Sequence, residues 1–286
     1  MEVIYRFLSI MVAFVMFTIV IAAWLWLTGL NQDPCYVNKW WNRRIKGECD
    51  EQDSKCINGI PSYQDAWHCC SKTATELHRL IRLNHDDILA EVEGTIGKQD
   101  GTMVDDIAWN QSKWLKKEDG WCPIWVRFMG DWSKYADKLP TLKRIVSAFP
   151  DVTALHISIF KPGTALVQHR GVSRAVHRYH YGLKIPYGDV GLKIAGYNVK
   201  WGEKEGYIWD DTLPHSAWNH TPEPRIVIFA DIFRQLSIIN SLGSKVIYSL
   251  LQETKQVSRI KTLLQQEGIP GGETSEFQTG DRLELA

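Results

Sequence analysis

From residue 153 onward this 286-residue chain takes on a period of two, and that change of texture predicts its fold class. Segments 153–160, 165–169, 175–186, 192–198, 205–209 and 225–233 read as strands, punctuated by Pro-Gly, Gly-Asp and Gly-Glu turn signals. Closely spaced short strands of this kind predict a double sheet of jelly-roll or cupin type. Helical periodicity lies upstream and downstream of them, and an uncharged run opens the chain. The predicted class is therefore mainly β with flanking helices, a double-stranded β-helix core behind an N-terminal transmembrane helix.

The run from Phe7 to Leu30 holds no charged residue over 24 positions, enough for a bilayer-spanning helix of about 20 residues. A cleaved signal peptide is the alternative, but its apolar region is usually shorter and no small-x-small exit follows Leu30. Trp24 and Trp26 suit the interface at the far end of a span. Flanking charge gives the opposite topology to the cysteines. Only Arg6 precedes the run while Lys39, Arg43, Arg44 and Lys46 follow it, which places the rest in the cytoplasm. All six cysteines (Cys35, Cys49, Cys56, Cys69, Cys70, Cys122) fall between the anchor and the strands, in a polar stretch typical of disulfides made in an oxidising compartment. A zinc site is the rival, but no Cys-x-x-Cys occurs. Asn110-Gln-Ser112 is a glycosylation acceptor pattern. The expectation is a lumenal (endoplasmic reticulum) or extracytoplasmic body on a single membrane anchor.

The parts then follow in order: anchor at 1–30, cysteine-rich stalk at 31–70, catalytic domain at 71–238 with its core at 121–234, amphipathic helix at 239–266, and disordered tail at 267–286. Within the domain, Leu77, Leu80, Ile81, Ile88, Leu89 and Val92 mark one helix over 75–92. A Trp-rich passage covers 109–132, and a short helix follows Pro140 and ends by Pro150. After the strands, Ile239, Leu242, Val246, Leu250, Val257, Ile260 and Leu264 mark a helix broken near Gly243. Packing on the barrel is its default role, with self-pairing or lying on a membrane as alternatives. With 33 basic and 33 acidic side chains no global field draws nucleic acid, so none is expected as partner.

The chemistry gathers in the strands. In 175–186, Arg178, His180 and Gly182 share one face while His177, Tyr179, Tyr181 and Leu183 share the other. The first set is too polar for an ordinary core, which implies a pocket inside the barrel. His169 and His215 can share a metal. Arg178 and Arg225 can hold a dicarboxylate beside it, since a guanidinium binds carboxylate in a bidentate fork. A strand starting at Arg225 and paired antiparallel with the strand of His215 would bring Arg225 into that pocket. Two His, open coordination positions and a buried cation describe an iron(II) and 2-oxoglutarate oxygenase site. The usual third ligand, a carboxylate two residues after the first His, is replaced here by Gly171. Asp210 or Asp211 could supply it, but orienting His215 or closing the turn is the more ordinary role. His156, His177 and His220 carry no assigned role, Trp218 reads as pocket wall and Trp201 as core.

Over 121–234 the chain resembles the aspartyl/asparaginyl β-hydroxylase family, which also lacks the iron-binding carboxylate. The matching residues are Ser158, Lys161-Pro-Gly-Thr164, His169-Arg-Gly171, Arg178-Tyr-His-Tyr-Gly-Leu183, Ile185-Pro186, Trp201, Glu205-Gly206, Asp210-Asp211, His215-Ser-Ala-Trp218, Arg225 and Asp231. The resemblance implies His169 and His215 as catalytic iron ligands. It implies Ser158 and Arg225 as 2-oxoglutarate ligands, with Arg178, His180 and Trp121, and O2 as the co-oxidant. It also implies a membrane-anchored hydroxylase acting on a protein or peptide residue. Two departures stand out. Val176 occupies the position where the peptide hydroxylases place a second arginine for an acidic side chain, and no helical-repeat domain precedes the strands. A lipid acyl chain is the alternative substrate, because lipid A hydroxylases are similar in this region, although they carry an acidic residue where Gly171 sits. A catalytically silent binding domain is the remaining alternative.

Overall fold

The computed structural model describes residues 72–96, 120–171, 173–199 and 202–265, with residues 6, 11, 12 and 14–18 of a helical stretch near the start. The stalk, Cys35 to Cys70, Asn110, Trp201, the tail and most of the apolar run at 7–30 lie outside the described residues. Among the described residues no helix is long and apolar enough to cross a membrane.

Ten strands form two antiparallel sheets. In chain order they are β1 (Trp121–Phe128), β2 (Asp131–Trp132), β3 (Val152–Phe160), β4 (Thr164–His169), β5 (Val176–Lys184), β6 (Val190–Ile194), β7 (Tyr197–Val199), β8 (Gly206–Trp209), β9 (His215–Asn219) and β10 (Arg225–Phe233). The large sheet runs β2-β1-β3-β10-β5-β8 and the small one β4-β9-β6-β7. From β3 onward the chain passes back and forth between the sheets, the jelly-roll path that the strand spacing predicts.

Three helices, α1 (Lys72–Leu83), α2 (His85–Ile96) and α3 (Pro140–Ser147), cover the outer face of the large sheet. Strand alternation decides what they meet. Along β10, Ile226, Ile228, Ala230 and Ile232 join the core beneath the helices, with Leu77, Ile81, Ile88 and Val92 opposite. On β5 the same face carries Tyr179 and Tyr181, whose hydroxyls bond His78 Nδ1 at 3.1 Å and His85 Nδ1 at 2.9 Å. Val227, Trp121, Phe160, Leu166, Leu192 and Trp209 fill the space between the sheets instead.

Several boundaries differ from expectation, each for a local reason. The single helix over 75–92 is two, because Asn84 turns its amide back onto the Leu80 carbonyl at 2.8 Å and breaks the run. The expected strand 192–198 is a hairpin, turned at Ala195 (φ 49°) and Gly196 (φ 91°), the doubly left-handed geometry of a tight β-turn. The Trp-rich passage contains β1, whose Pro123 sits where β2 no longer pairs, a sheet-edge position that needs no N–H donor. The C-terminal helix breaks not at Gly243 but after Glu253, giving α4 (Ile238–Gln252) and α5 (Lys255–Gln265). Thr254 makes the break, bonding the Leu251 carbonyl at 2.8 Å and receiving the Val257 N–H at 3.4 Å. α5 packs on the barrel through the expected stripe, but on α4 the expected residues Ile239, Leu242, Val246 and Leu250 are exposed, and that helix meets the barrel through Ser244, Ile247 and Tyr248 instead. Val257, Ile260 and Leu264 are buried, the last two against Trp125 and Ala154, while Tyr248 donates to the Thr153 carbonyl at 3.3 Å. Cys122 is buried in β1.

Candidate active site

β4 and β9 pair antiparallel at one mouth of the barrel, and the register puts His169 directly opposite His215. Their ring centroids lie 4.1 Å apart. Each ring is fixed by its own chain: His169 Nδ1 meets the Val167 carbonyl at 2.9 Å and His215 Nδ1 the Leu213 carbonyl at 2.8 Å. A carbonyl can only accept, so Nδ1 carries the proton and Nε2 keeps its lone pair in both rings. Burial holds both imidazoles at a pKa of about 4, so they are neutral near pH 7. Two neutral, oriented imidazoles are the donor set a divalent first-row metal takes. Among the described residues no cluster of three or more His, Cys, Asp or Glu side chains is arranged to hold a metal.

A carboxylate lies alongside, and it comes from another strand connection. Asp211 Oδ1 is 3.3 Å from His215 Nε2. A Cβ built on Gly171 would fall 1.5 Å from Asp211 Oδ2, and the Gly171 N–H donates to the Asp211 carbonyl at 2.7 Å. The space two residues beyond His169 is therefore filled by the Asp211 carboxylate, which explains glycine there: any side chain would displace that group. Asp210 plays a different part. It closes its turn by accepting from Thr212 N at 2.9 Å and Thr212 Oγ1 at 2.7 Å. It also faces Arg174 at 2.8 Å and Arg234 at 2.9 Å.

Arg178 and His180 project from the inner face of β5, as alternation requires. Arg178 donates to Asp211 Oδ1 at 2.6 Å and to Asp231 Oδ1 at 3.1 Å, and lies 4.1 Å over the Phe229 ring. Burial opposes its charge, but the two carboxylates overcome that and hold its pKa above the ordinary value. Its fork is thus engaged by carboxylates of this chain rather than turned toward a dicarboxylate ligand. His180 packs edge-on against Trp209 at 4.6 Å, and Trp209 in turn against His215 at 6.1 Å. Burial, then the charges of Arg225 and Arg178, push its pKa well down.

Arg225 opens β10, which pairs with β3 and β5 and not with the strand of His215. It reaches the interior from the large sheet, across the barrel from the histidine pair, because alternation turns Arg225, Val227, Phe229 and Asp231 inward together. It is 2% exposed and lies 4.8 Å over the Phe160 ring; burial lowers its pKa to about 9. Trp121 joins this end, donating from Nε1 to Ser158 Oγ at 3.0 Å. Trp121 and Arg225 flank Phe160 in register from either side. All seven sequence-derived site residues therefore line one interior. Sequence reasoning missed the partnership of Asp211 and Asp231 with Arg178, although both aspartates were visible in the matching pattern. It also missed His156, which lies inside the barrel stacked on Phe229 at 3.9 Å.

Fold and site together define a double-stranded β-helix protein with a paired-histidine centre facing a buried arginine. A sequence profile of the aspartyl/asparaginyl β-hydroxylase family matches residues 76–235, and the chain belongs to that family. It is 29% identical over 159 residues to an ornithine lipid ester-linked acyl 2-hydroxylase of Rhizobium tropici, covering 54% of this chain and 57% of that protein. It is 24% identical over 183 residues to human aspartyl/asparaginyl β-hydroxylase, covering 62% of this chain and 23% of that protein. The chain thus spans little more than half of the first relative and under a quarter of the second. Among solved structures, a Pseudomonas putida prolyl-4-hydroxylase aligns over 55% of this chain and 88% of its own length, at 12% identity and a TM-score of 0.33. That likeness is too loose to bear on function.

Proposed function

We propose that this protein is a membrane-anchored, iron(II)- and 2-oxoglutarate-dependent hydroxylase. The observation that carries the reading is the facing pair His169 and His215, each tied through Nδ1 to a backbone carbonyl so that Nε2 can hold the metal. Asp211, held by Arg178, positions a carboxylate beside that metal without needing one at position 171. Across the interior, Arg225 offers a buried cation for the distal carboxylate of 2-oxoglutarate, with Trp121, Ser158 and His180 on the surrounding walls. When bound, the metal and cosubstrate supply the oxidation of an unactivated C–H bond by O2, with release of succinate and CO2. The chain's own work is to bind, orient and keep the site dry. Neutral imidazoles avoid repelling the cation, and the packed walls of Trp209, Phe229 and Phe160 exclude water.

For the substrate, an acyl chain is favoured over an acidic protein side chain. Val176 stands where the peptide hydroxylases place an arginine, and both carboxylates flanking Arg178 leave that cation satisfied from within. The acyl 2-hydroxylase relative points the same way. A protein or peptide residue is the second reading, supported by the match to human aspartyl/asparaginyl β-hydroxylase. Anchoring by the apolar run at 7–30, with the body lumenal or extracytoplasmic, completes the proposal. Alkylation of the cysteines only after reduction is the expected result, and six thiols alkylating without reductant would place the body in the cytoplasm instead.

The direct test supplies the full chain with iron(II) and 2-oxoglutarate and follows succinate. Slow uncoupled turnover is expected, lost in His169→Ala and His215→Ala; unchanged turnover in those variants would remove the oxygenase reading.

A further inference from the structure

A cavity of about 250 Å³ lies between the inner face of the large sheet and α4, away from the histidine pair. Trp125, Val176, Phe229, Ile247 and Tyr248 are among the residues that wall it, and His156 closes one side. One further wall is the Arg178–Asp231 ion pair, whose far side reaches Asp211 and, through it, His215.

His156 is the anomaly. It is 2% exposed, sandwiched between Phe229 (stacked at 3.9 Å) and Trp125 (edge-on at 4.5 Å). Neither ring nitrogen has a hydrogen-bond partner among the described residues. An imidazole so buried stays neutral, with one nitrogen a donor and the other an acceptor, and leaving both unmade costs about 1–3 kcal/mol for each group. A polar ring retained at a dry site, with both hydrogen-bonding functions unused and a cavity in front of it, fits a ligand that completes those bonds. The rest of the wall says which kind. Val176, Trp125, Phe229 and Ile247 are apolar, and Arg178 is already neutralised by Asp211 and Asp231. No full positive charge remains there to pair with an anion.

We propose that this cavity is a binding compartment for an alkyl or acyl chain bearing a neutral hydrogen-bonding group, such as an amide or ester, which pairs with His156. The assignment rests on the hydroxylase reading for its biological meaning, but binding there needs neither iron nor 2-oxoglutarate. Val176 is then a specificity residue: it keeps the compartment apolar where an arginine would call for a carboxylate.

The test is calorimetric titration of the full chain in lipid nanodiscs, without iron, using hexanamide and hexanoate as probes and protein-free discs as blank. Hexanamide is expected to bind saturably, one per chain, and at least about tenfold tighter than hexanoate, the worth of one net hydrogen bond. His156→Phe should weaken hexanamide about tenfold and erase the preference, while raising the melting temperature, because a purely structural histidine would lower it on removal. Ser244→Trp, which fills the cavity from α4, should abolish binding, and Arg225→Met should leave it unchanged. Val176→Arg should turn the preference toward hexanoate. Absence of saturable hexanamide binding, including because the chain's own terminal segments occupy the cavity, would overturn the proposal. So would binding that survives His156→Phe and Ser244→Trp, or that disappears in Arg225→Met. Loss of succinate formation in the histidine-pair variants with hexanamide binding intact would separate this inference from the hydroxylase reading.

Discussion

The two faces of β5 carry related side chains to opposite ends. On the outer face, Tyr179 and Tyr181 meet His78 and His85, and each hydroxyl is matched to one ring nitrogen beneath a helix. On the inner face, Arg178 meets two carboxylates and His180 sits among charges. The outer pairs are closed: each tyrosine hydroxyl meets a ring, and helix and sheet are pinned together. Around the histidine pair the inner groups are each oriented by a neighbour while an atom is kept toward the interior. His169 and His215 spend Nδ1 on a carbonyl and keep Nε2. Asp211 spends Oδ1 on Arg178 and still lies beside the His215 ring. Polar groups in a wall are paired with each other; polar groups in a site are paired just enough to aim them.

That distinction can be broken or sharpened by substitution. The largest effect is expected from the histidine pair, where His169→Ala or His215→Ala should abolish 2-oxoglutarate turnover while leaving the melting temperature near that of the parent. Next comes Arg178→Met. Removing the cation between two enclosed carboxylates leaves them uncompensated, and equilibrium denaturation should show a loss of about 3–5 kcal/mol. Retained stability would mean that the three groups are not coupled as the distances indicate.

On the outer face the effect is smaller and depends on pH. Burial holds His78 at a pKa of about 4, below its ordinary 6.5. Above pH 6.5 both states are neutral there. Between 6.5 and 4 the unfolded chain takes up a proton that the folded one refuses, so stability falls as pH falls. From pH 7 to 5 the loss from this group is about 2 kcal/mol. His78→Phe should remove about that much of the fall and leave the share of the other buried histidines, as measured by denaturant titration at the two pH values. Asp211→Asn is expected to lower turnover about 10–100-fold through metal affinity, the usual cost of losing a group beside a metal centre.

Much of this was legible in the sequence. The period-two texture gave the double sheet, and alternation within 175–186 correctly divided Arg178 and His180 from Tyr179 and Tyr181. The resemblance over 121–234 implied the pair of His169 and His215, which the register of β4 and β9 brings face to face. What could not be read was the pairing of strands across the barrel. Arg225 was expected beside the strand of His215, yet β10 lies between β3 and β5, because sequence neighbours in a jelly roll occupy different sheets. For the same reason the sequence does not separate Asp211 from its neighbour Asp210. Only the close approach of its loop to Gly171 separates it from Asp210, which is bound up with Arg174, Arg234 and Thr212. His156 was invisible because a lone histidine on a strand is ordinarily a bonded or surface residue, and its lack of partners among the described residues is a property of packing.

The most direct measurement is anaerobic titration of the full chain with iron(II) and then 2-oxoglutarate, comparing the parent with His215→Ala and Arg225→Met. One iron per chain is expected in the parent and in Arg225→Met, and none held at comparable concentration by His215→Ala. 2-Oxoglutarate should bind the iron-loaded parent and bind Arg225→Met at least about tenfold more weakly. Equal iron binding by His215→Ala, or unaltered 2-oxoglutarate affinity in Arg225→Met, would contradict the site described here.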